Sequence, residues 1–257
     1  MSTPRLRTTL AVLVLGFAFY PDLAGTMRTH KALRYQISPY NALYSAGRVA
    51  TRRAGPAAAP LPIGLDARPL PPQAGQKPPL LLLVIGETAR ADHFALNGYG
   101  RDTTPELRAL DVLSFRQVSA CGTSTAASLP CMLSAVGRAR HEARERDSEN
   151  LLDLLQRAGL AVLWVENQAG CKEVCTRVPH TRPEQPAPGA TAPDASLCPG
   201  GECLDGALLH GLDERLAALP AERRARGVVL VLHQMGSHRP AYAARSPAGR
   251  KPFQPEC

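Results

Sequence analysis

The stretch Leu80-Leu81-Leu82-Leu83-Val84-Ile85-Gly86-Glu87-Thr88 decides how this chain folds. An unbroken apolar run closed by a glycine and two polar residues fits a strand buried on both faces, as in a parallel sheet. Working outward, Val112–Val118 is expected to form a second strand. Asp147-Ser148 opens a helix with leucines at 151, 152, 154 and 155 and Gly159 as its stop. Ala161–Val165 returns as a strand, Gly206–Leu219 as an amphipathic helix, and Val228–Leu232 as another strand. Alternating strands and helices predict an α/β domain, a mostly parallel sheet flanked by helices. Thr181–Pro193 is a proline-rich surface loop without readable chemistry, and no internal repeat is present.

In open parallel sheets, ligands collect at the carboxyl ends of strands. Glu87 follows the first strand; Asn167, Gln168 and Lys172 follow AVLWV; His233 and His238 follow VVLVL. A carboxylate, an ammonium and imidazoles on one rim suit a metal and an anion. The stretch Cys121-Gly122-Thr123-Ser124-Thr125-Ala126-Ala127-Ser128-Leu129-Pro130-Cys131 reads as a tight, hydroxyl-rich loop between two cysteines that feeds a helix. At a helix N-terminus, free backbone N–H groups and the helix dipole favour an alkoxide or a bound phosphate. The loop is therefore expected to carry the nucleophile of a phosphoryl-type transfer.

The 257 residues suffice for one large α/β domain with appendages, and 44% hydrophobic content allows a sizeable core. A formal net charge of +8 suits nucleic acid, anionic headgroups or acidic substrates alike. No basic run is interleaved with aromatics, so nucleic acid is not an expected partner. Six of the seven cysteines fall into local pairs, Cys121 with Cys131, Cys171 with Cys175 and Cys198 with Cys203, and Cys257 ends the chain. In an oxidising compartment such pairs are disulfides; in cytosol, metal ligands.

Arg5 and Arg7 precede an apolar run from Leu10 to Tyr20. A bilayer needs roughly 20 apolar residues, so this run reads as a signal-anchor or the trailing end of a membrane region, with the bulk exported. Residues 1–21 are thus assigned to a membrane anchor. Residues 22–79 form a juxtamembrane segment, with Arg28, His30, Lys31 and Arg34 among apolar residues, and a proline-rich linker from Arg52. Residues 80–257 form the catalytic domain.

Several strings resemble the lipid A phosphoethanolamine transferases, a family that includes the mobile colistin-resistance enzymes. They are Gly86-Glu87-Thr88-Ala89-Arg90-Ala91-Asp92, Leu96-Asn97-Gly98-Tyr99, the Cys121–Met132 stretch and Glu149-Asn150-Leu151-Leu152-Asp153. Cys171-Lys172-Glu173-Val174-Cys175 and His233-Gln234-Met235-Gly236-Ser237-His238 extend the match. The resemblance implies an alkaline-phosphatase/sulfatase fold in the periplasm, carried on the inner membrane. It implies transfer of phosphoethanolamine from phosphatidylethanolamine to a lipid A phosphate, through a covalent intermediate on Thr125. By the family's pattern Glu87 and Thr125 are zinc ligands, and Thr123, Lys172, His238 and Gln168 line the phosphoethanolamine site. The family completes its zinc site with an adjacent Asp-His pair, and another histidine lies further on, all well beyond the HQMGSH string. The chain is accordingly expected to be a fragment, truncated at both ends and incomplete at the C-terminus, with an exposed sheet edge, poor stability and doubtful activity alone. Rival expectations are another phosphatase or sulfatase of the superfamily, and a non-catalytic, disulfide-stapled module that binds anionic lipid.

Overall fold

The structure is a computed structural model that describes residues 7, 14–15, 18–20, 39–51, 59–69, 71, 75–238 and 242–253. Most of the apolar run at 10–20, the basic segment at 22–38, much of the proline-rich linker, Arg239 and Cys257 lie outside the described residues. The chain divides into two compact units, Met1–Ala58 and Ala59–Cys257. The first contains helix α1 (Tyr40–Thr51). Among the described residues, no helix is long and apolar enough to cross a membrane.

The second unit is built on four parallel strands, β1 (Leu80–Ile85), β2 (Ala161–Glu166), β3 (His180–Thr181) and β4 (Val228–His233), in the order β1-β4-β2-β3. The helices around them are α2 (Pro105–Ala109), α3 (Thr125–Met132), α4 (Arg138–Ala143), α5 (Leu151–Arg157), α6 (Leu212–Ala217) and α7 (Ala221–Arg224). β4 sits at the centre and is registered residue for residue against β1 and β2, Ile85 and Glu166 both opposite His233. Because side chains alternate across a strand, the sheet has two apolar faces. On one, Val162, Trp164, Val229 and Val231 pack with Leu129 and Leu133 around α3 and with Leu152 of α5. On the other, Leu163, Val165, Leu230 and Leu232 pack with Leu208, Leu219 and the α6 leucines 212 and 216. The expected α/β class is what the chain adopts.

Four local expectations change. β1 forms at the predicted residues but is not buried on both faces. It is an edge strand, and Leu80, Leu81, Leu82 and Val84 are each about half exposed or more (49–63%). Residues 112–118 form no strand: no neighbouring strand takes their N–H and C=O groups, and Leu113, Phe115 and Val118 are 71–89% exposed. The helix expected from Asp147-Ser148 begins at Leu151, because Leu61 pairs there instead. Leu61 N–H donates to the Asp147 carbonyl (2.8 Å) and its carbonyl accepts from Glu149 N–H (2.8 Å). Asn150 becomes the cap, its side chain accepting from Leu152 N–H while Asp153 accepts from Asn150 N–H. Finally, Gly206–Leu219 is a 3-10 turn (Asp205–Leu209) followed by α6. The break falls at Gly211, whose φ of 62° no right-handed helix can hold.

Candidate active site

The carboxyl ends of β1 and β4 and the N-terminus of α3 line one cleft of about 480 Å³, and Gln168, just after β2, reaches its Glu87 wall. Gly86–Arg90, Gly122–Thr125, Ser128 and His233 are among its lining residues. Thr125 is the first residue of α3, after Ser124, which makes no side-chain cap. The Cys121–Cys131 disulfide ties the loop before α3 to the helix's own last turn. Cys131 is buried, so the loop is anchored in the core.

Thr125 Oγ1 donates to Glu87 Oε2 at 2.7 Å, and Gln168 Nε2 donates to the same oxygen at 2.8 Å. Thr88 Oγ1 donates to the other oxygen, Oε1, at 2.9 Å. Three separate stretches of sequence thus meet at one carboxylate. Its backbone is held equally closely. Ser237 N–H donates to the Glu87 carbonyl, and a Cβ on Gly236 (φ 53°) would lie 2.5 Å from that oxygen. Thr88 itself sits at φ 55°, an uncommon conformation for a non-glycine residue, held here by these contacts.

The turn after β4 is fixed by Asp205. Its carboxylate accepts from the N–H groups of Met235 and Gly236 and from Asn167 Nδ2, each at 2.8 Å. The Cys198–Cys203 disulfide precedes it, and the Cys203 carbonyl also accepts from Asn167 Nδ2. Behind the cleft, Glu166 Oε2 accepts from Trp164 Nε1 (2.8 Å) and faces His233 Nδ1 (3.0 Å), while Oε1 accepts from Gln168 N–H (2.7 Å). Burial pushes the Glu166 carboxyl up, but the hydrogen bonds from His233, Trp164 and Gln168 outweigh it and hold it below the ordinary glutamate value.

Of the residues singled out in the sequence, Glu87, Thr125 and Gln168 are brought into direct contact, and Thr123 lines the same cleft. Lys172, with φ 50°, turns its ammonium onto the Ala169 carbonyl at 2.7 Å. His238 is exposed in the turn after β4, where its N–H donates to the Met235 carbonyl. The three local cysteine pairs are all disulfides, including Cys171–Cys175. Sequence reasoning missed Glu166 and Asp205. A carboxylate closing the apolar strand AVLWVE was the available signal for Glu166; nothing local marks Asp205. Glu149, part of a family string, pairs with Arg157 and caps Ile63 N–H, away from the cleft.

Among the described residues, no three His, Cys, Asp or Glu side chains converge as a metal site. The cleft offers zinc two adjacent oxygen donors, Glu87 and Thr125, where about four ligands are usual. The residues described do not complete the ion's coordination.

A family model described as Sulfatase matches residues 79–257, which include the whole sheet, and one described as Phosphoethanolamine transferase EptA/EptB matches residues 5–54. The phosphoethanolamine transferase EptA of Escherichia coli O157:H7 is 39% identical over 263 residues, 98% of this chain and 44% of that protein. The integral membrane lipooligosaccharide phosphoethanolamine transferase A (EptA) from Neisseria meningitidis has a TM-score of 0.72 at 37% identity, covering 96% of this chain and 45% of its own. The C-terminal periplasmic domain of phosphoethanolamine transferase EptC from Campylobacter jejuni has a TM-score of 0.61 at 33% identity, over 77% of this chain and 56% of that one. The chain belongs to the sulfatase family and, within it, to the lipid A phosphoethanolamine transferases. It spans less than half the length of the EptA proteins it matches.

Proposed function

We propose that this chain carries the donor half-reaction of phosphoethanolamine transfer from phosphatidylethanolamine to a lipid A phosphate, with Thr125 as nucleophile. The observation that carries this reading is the 2.7 Å hydrogen bond from Thr125 Oγ1 to Glu87 Oε2 at the start of α3. A threonine hydroxyl is a weak nucleophile until a neighbour takes up its proton. Glu87 holds that proton's position, and Gln168 and Thr88 hold Glu87. Thr125 Oγ attacks phosphorus and the bond to diacylglycerol breaks. The threonine proton passes to the Glu87 carboxylate and from there to the departing diacylglycerol oxygen, so free diacylglycerol leaves and Glu87 is ionised again. In the second half of the transfer an oxygen of the acceptor phosphate attacks the adduct, the bond to Thr125 Oγ breaks, and Glu87 passes the acceptor's proton to that oxygen to restore the hydroxyl. The open N–H groups of the first turn of α3 favour the phosphoryl oxygens. Thr123 is proposed as a further cleft contact, and Lys172 and His238 as substrate contacts after local rearrangement.

Zinc is proposed with Glu87 and Thr125 as two of its donors; when bound it would lower the pKa of the threonine hydroxyl. Residues 80–257 are proposed as the catalytic domain, working in the periplasm beside the inner membrane, with residues 1–21 as anchor and 22–79 as the juxtamembrane link. Three disulfides fit an oxidising compartment.

The test is incubation of the full chain with phosphatidylethanolamine vesicles, with and without added zinc, followed by intact and peptide mass spectrometry. A phosphoethanolamine adduct on Thr125, absent in Thr125→Ala, is expected. Release of free phosphate or sulfate from model esters with no adduct would instead favour a superfamily hydrolase. Vesicle binding without any adduct would favour the lipid-binding module.

A further inference from the structure

His233 is the least exposed polar residue of the cleft, at 0%, and its Nε2 is buried without a hydrogen-bond partner. Its other nitrogen is engaged: Nδ1 lies 3.0 Å from Glu166 Oε2, which also accepts the indole N–H of Trp164. An ionised carboxylate only accepts, so the nitrogen that faces it, Nδ1, carries a proton. The imidazole stands edge-on to Trp164, with ring centroids 5.4 Å apart, which fixes its orientation. From Glu166 the contacts run outward. Oε1 accepts the Gln168 backbone N–H, and the Gln168 amide donates to the oxygen of Glu87 that Thr125 shares.

The geometry points to Glu166 and His233 as a positioning pair that acts through Gln168 to aim the Glu87 carboxylate at Thr125. Neither residue touches the reacting hydroxyl. Strand β2 ends at Glu166, and the two residues after it carry the amide to Glu87. A carboxylate buried at that strand end is costly unless it is saturated with donors, and His233, Trp164 and the Gln168 N–H supply them. Removing the Nδ1 donor frees Glu166 to turn and releases the Gln168 peptide. The inference rests on the proposed role of Thr125.

The two amide substitutions of His233 separate the possibilities, because asparagine places an N–H near Nδ1 and glutamine near Nε2. The rate of adduct formation on Thr125 is measured against phosphatidylethanolamine concentration. His233→Asn is expected to stay near the wild-type rate. His233→Gln and Glu166→Gln are expected to fall about tenfold or more in maximal rate at unchanged half-saturation, the range typical of lost supporting hydrogen bonds. Retention in His233→Gln with loss in His233→Asn would overturn the inference in favour of a direct ligand role for Nε2. Equal retention, or equal loss, in both would overturn it too.

Nitrogen-15 NMR of the unmutated chain supplies a readout that needs no activity and no variant fold. The chain has one tryptophan, so its single indole cross-peak reports directly on the hydrogen bond to Glu166. His233 protonated on Nδ1 is expected, and a bare Nδ1 would sink the inference. A wild-type chain that forms no adduct would defeat the proposed reaction, while the tautomer would still decide the positioning pair.

Discussion

Glu87 shows how much depends on single side chains here. It accepts from Thr88, Thr125 and Gln168, groups that lie 1, 38 and 81 residues away. Its own peptide is clamped by Gly236, where a Cβ would meet backbone rather than a movable side chain. Gly236→Ala therefore has no cheap relaxation. The added methyl strikes the Glu87 carbonyl, and φ of 53° is unfavourable for alanine. A loss of about 1–3 kcal/mol in stability is expected, read as a lower urea midpoint, and the Thr125 adduct should form more slowly. An unchanged midpoint would show that the β4 turn moves freely, contrary to the clamp described. Glu87 and Thr125 were singled out from sequence because each belongs to a distinctive string, and the structure brings the two side chains into contact. Glu166 was not, because a single glutamate at the end of an apolar strand has no local mark of its three donors.

Among the elements, α5 is the best specified. Asn150 and Asp153 cap each other's backbone, Gly159 (φ 88°) ends the turn beyond the helix, and Leu152 is fully buried. Asn150 also donates to the Val174 carbonyl at 2.8 Å, joining the helix to the Cys171–Cys175 loop. Asn150→Ala removes both the cap and that bond. It should cost about 1–2 kcal/mol, shifting the urea midpoint with no change in slope. A shift no larger than that of an exposed surface alanine would show that Asp153 and Arg177, paired at 2.7 Å, hold the helix start without it. The leucine spacing predicted this helix, but its first residue was misjudged. Asp147 and Ser148 are good caps in isolation, yet their backbone is taken by Leu61, 86 residues or more before them. Residues 59–63, read as linker, therefore help define where a helix of the sheet domain begins.

The second unit as a whole carries an asymmetry across its sheet. β4 and β2 are covered on both faces, while β1 leaves Leu80, Leu82 and Val84 about half exposed beside an open strand edge. Unpaired N–H and C=O groups next to apolar side chains are a template for association. Concentration-dependent self-association of the full chain is expected by light scattering. Leu82→Lys should reduce it while leaving the unfolding midpoint within about 0.5 kcal/mol of wild type, as for other exposed substitutions. Equal association in the variant would place the sticky surface elsewhere, for example at Leu113 and Phe115, which are 89% and 77% exposed.

Local sequence was sufficient for the strands at 80–85, 161–165 and 228–232, each of the last two one residue short of its observed end, and for the core of α5, the paired cysteines and the hydroxyl loop. Each is written in short-range terms: apolar runs, leucine spacing, turn residues, and cysteines a few residues apart. Burial and partnership were decided only by tertiary structure. The run LLLLVI has the composition of a central strand and lies at an edge, because strand order depends on pairings between distant segments. Val112–Val118 has strand-like residues and no neighbour to bond. Glu87 becomes a site when α3, β2 and β4 bring Thr125, Gln168 and Gly236 to it, a convergence that no window of contiguous residues contains.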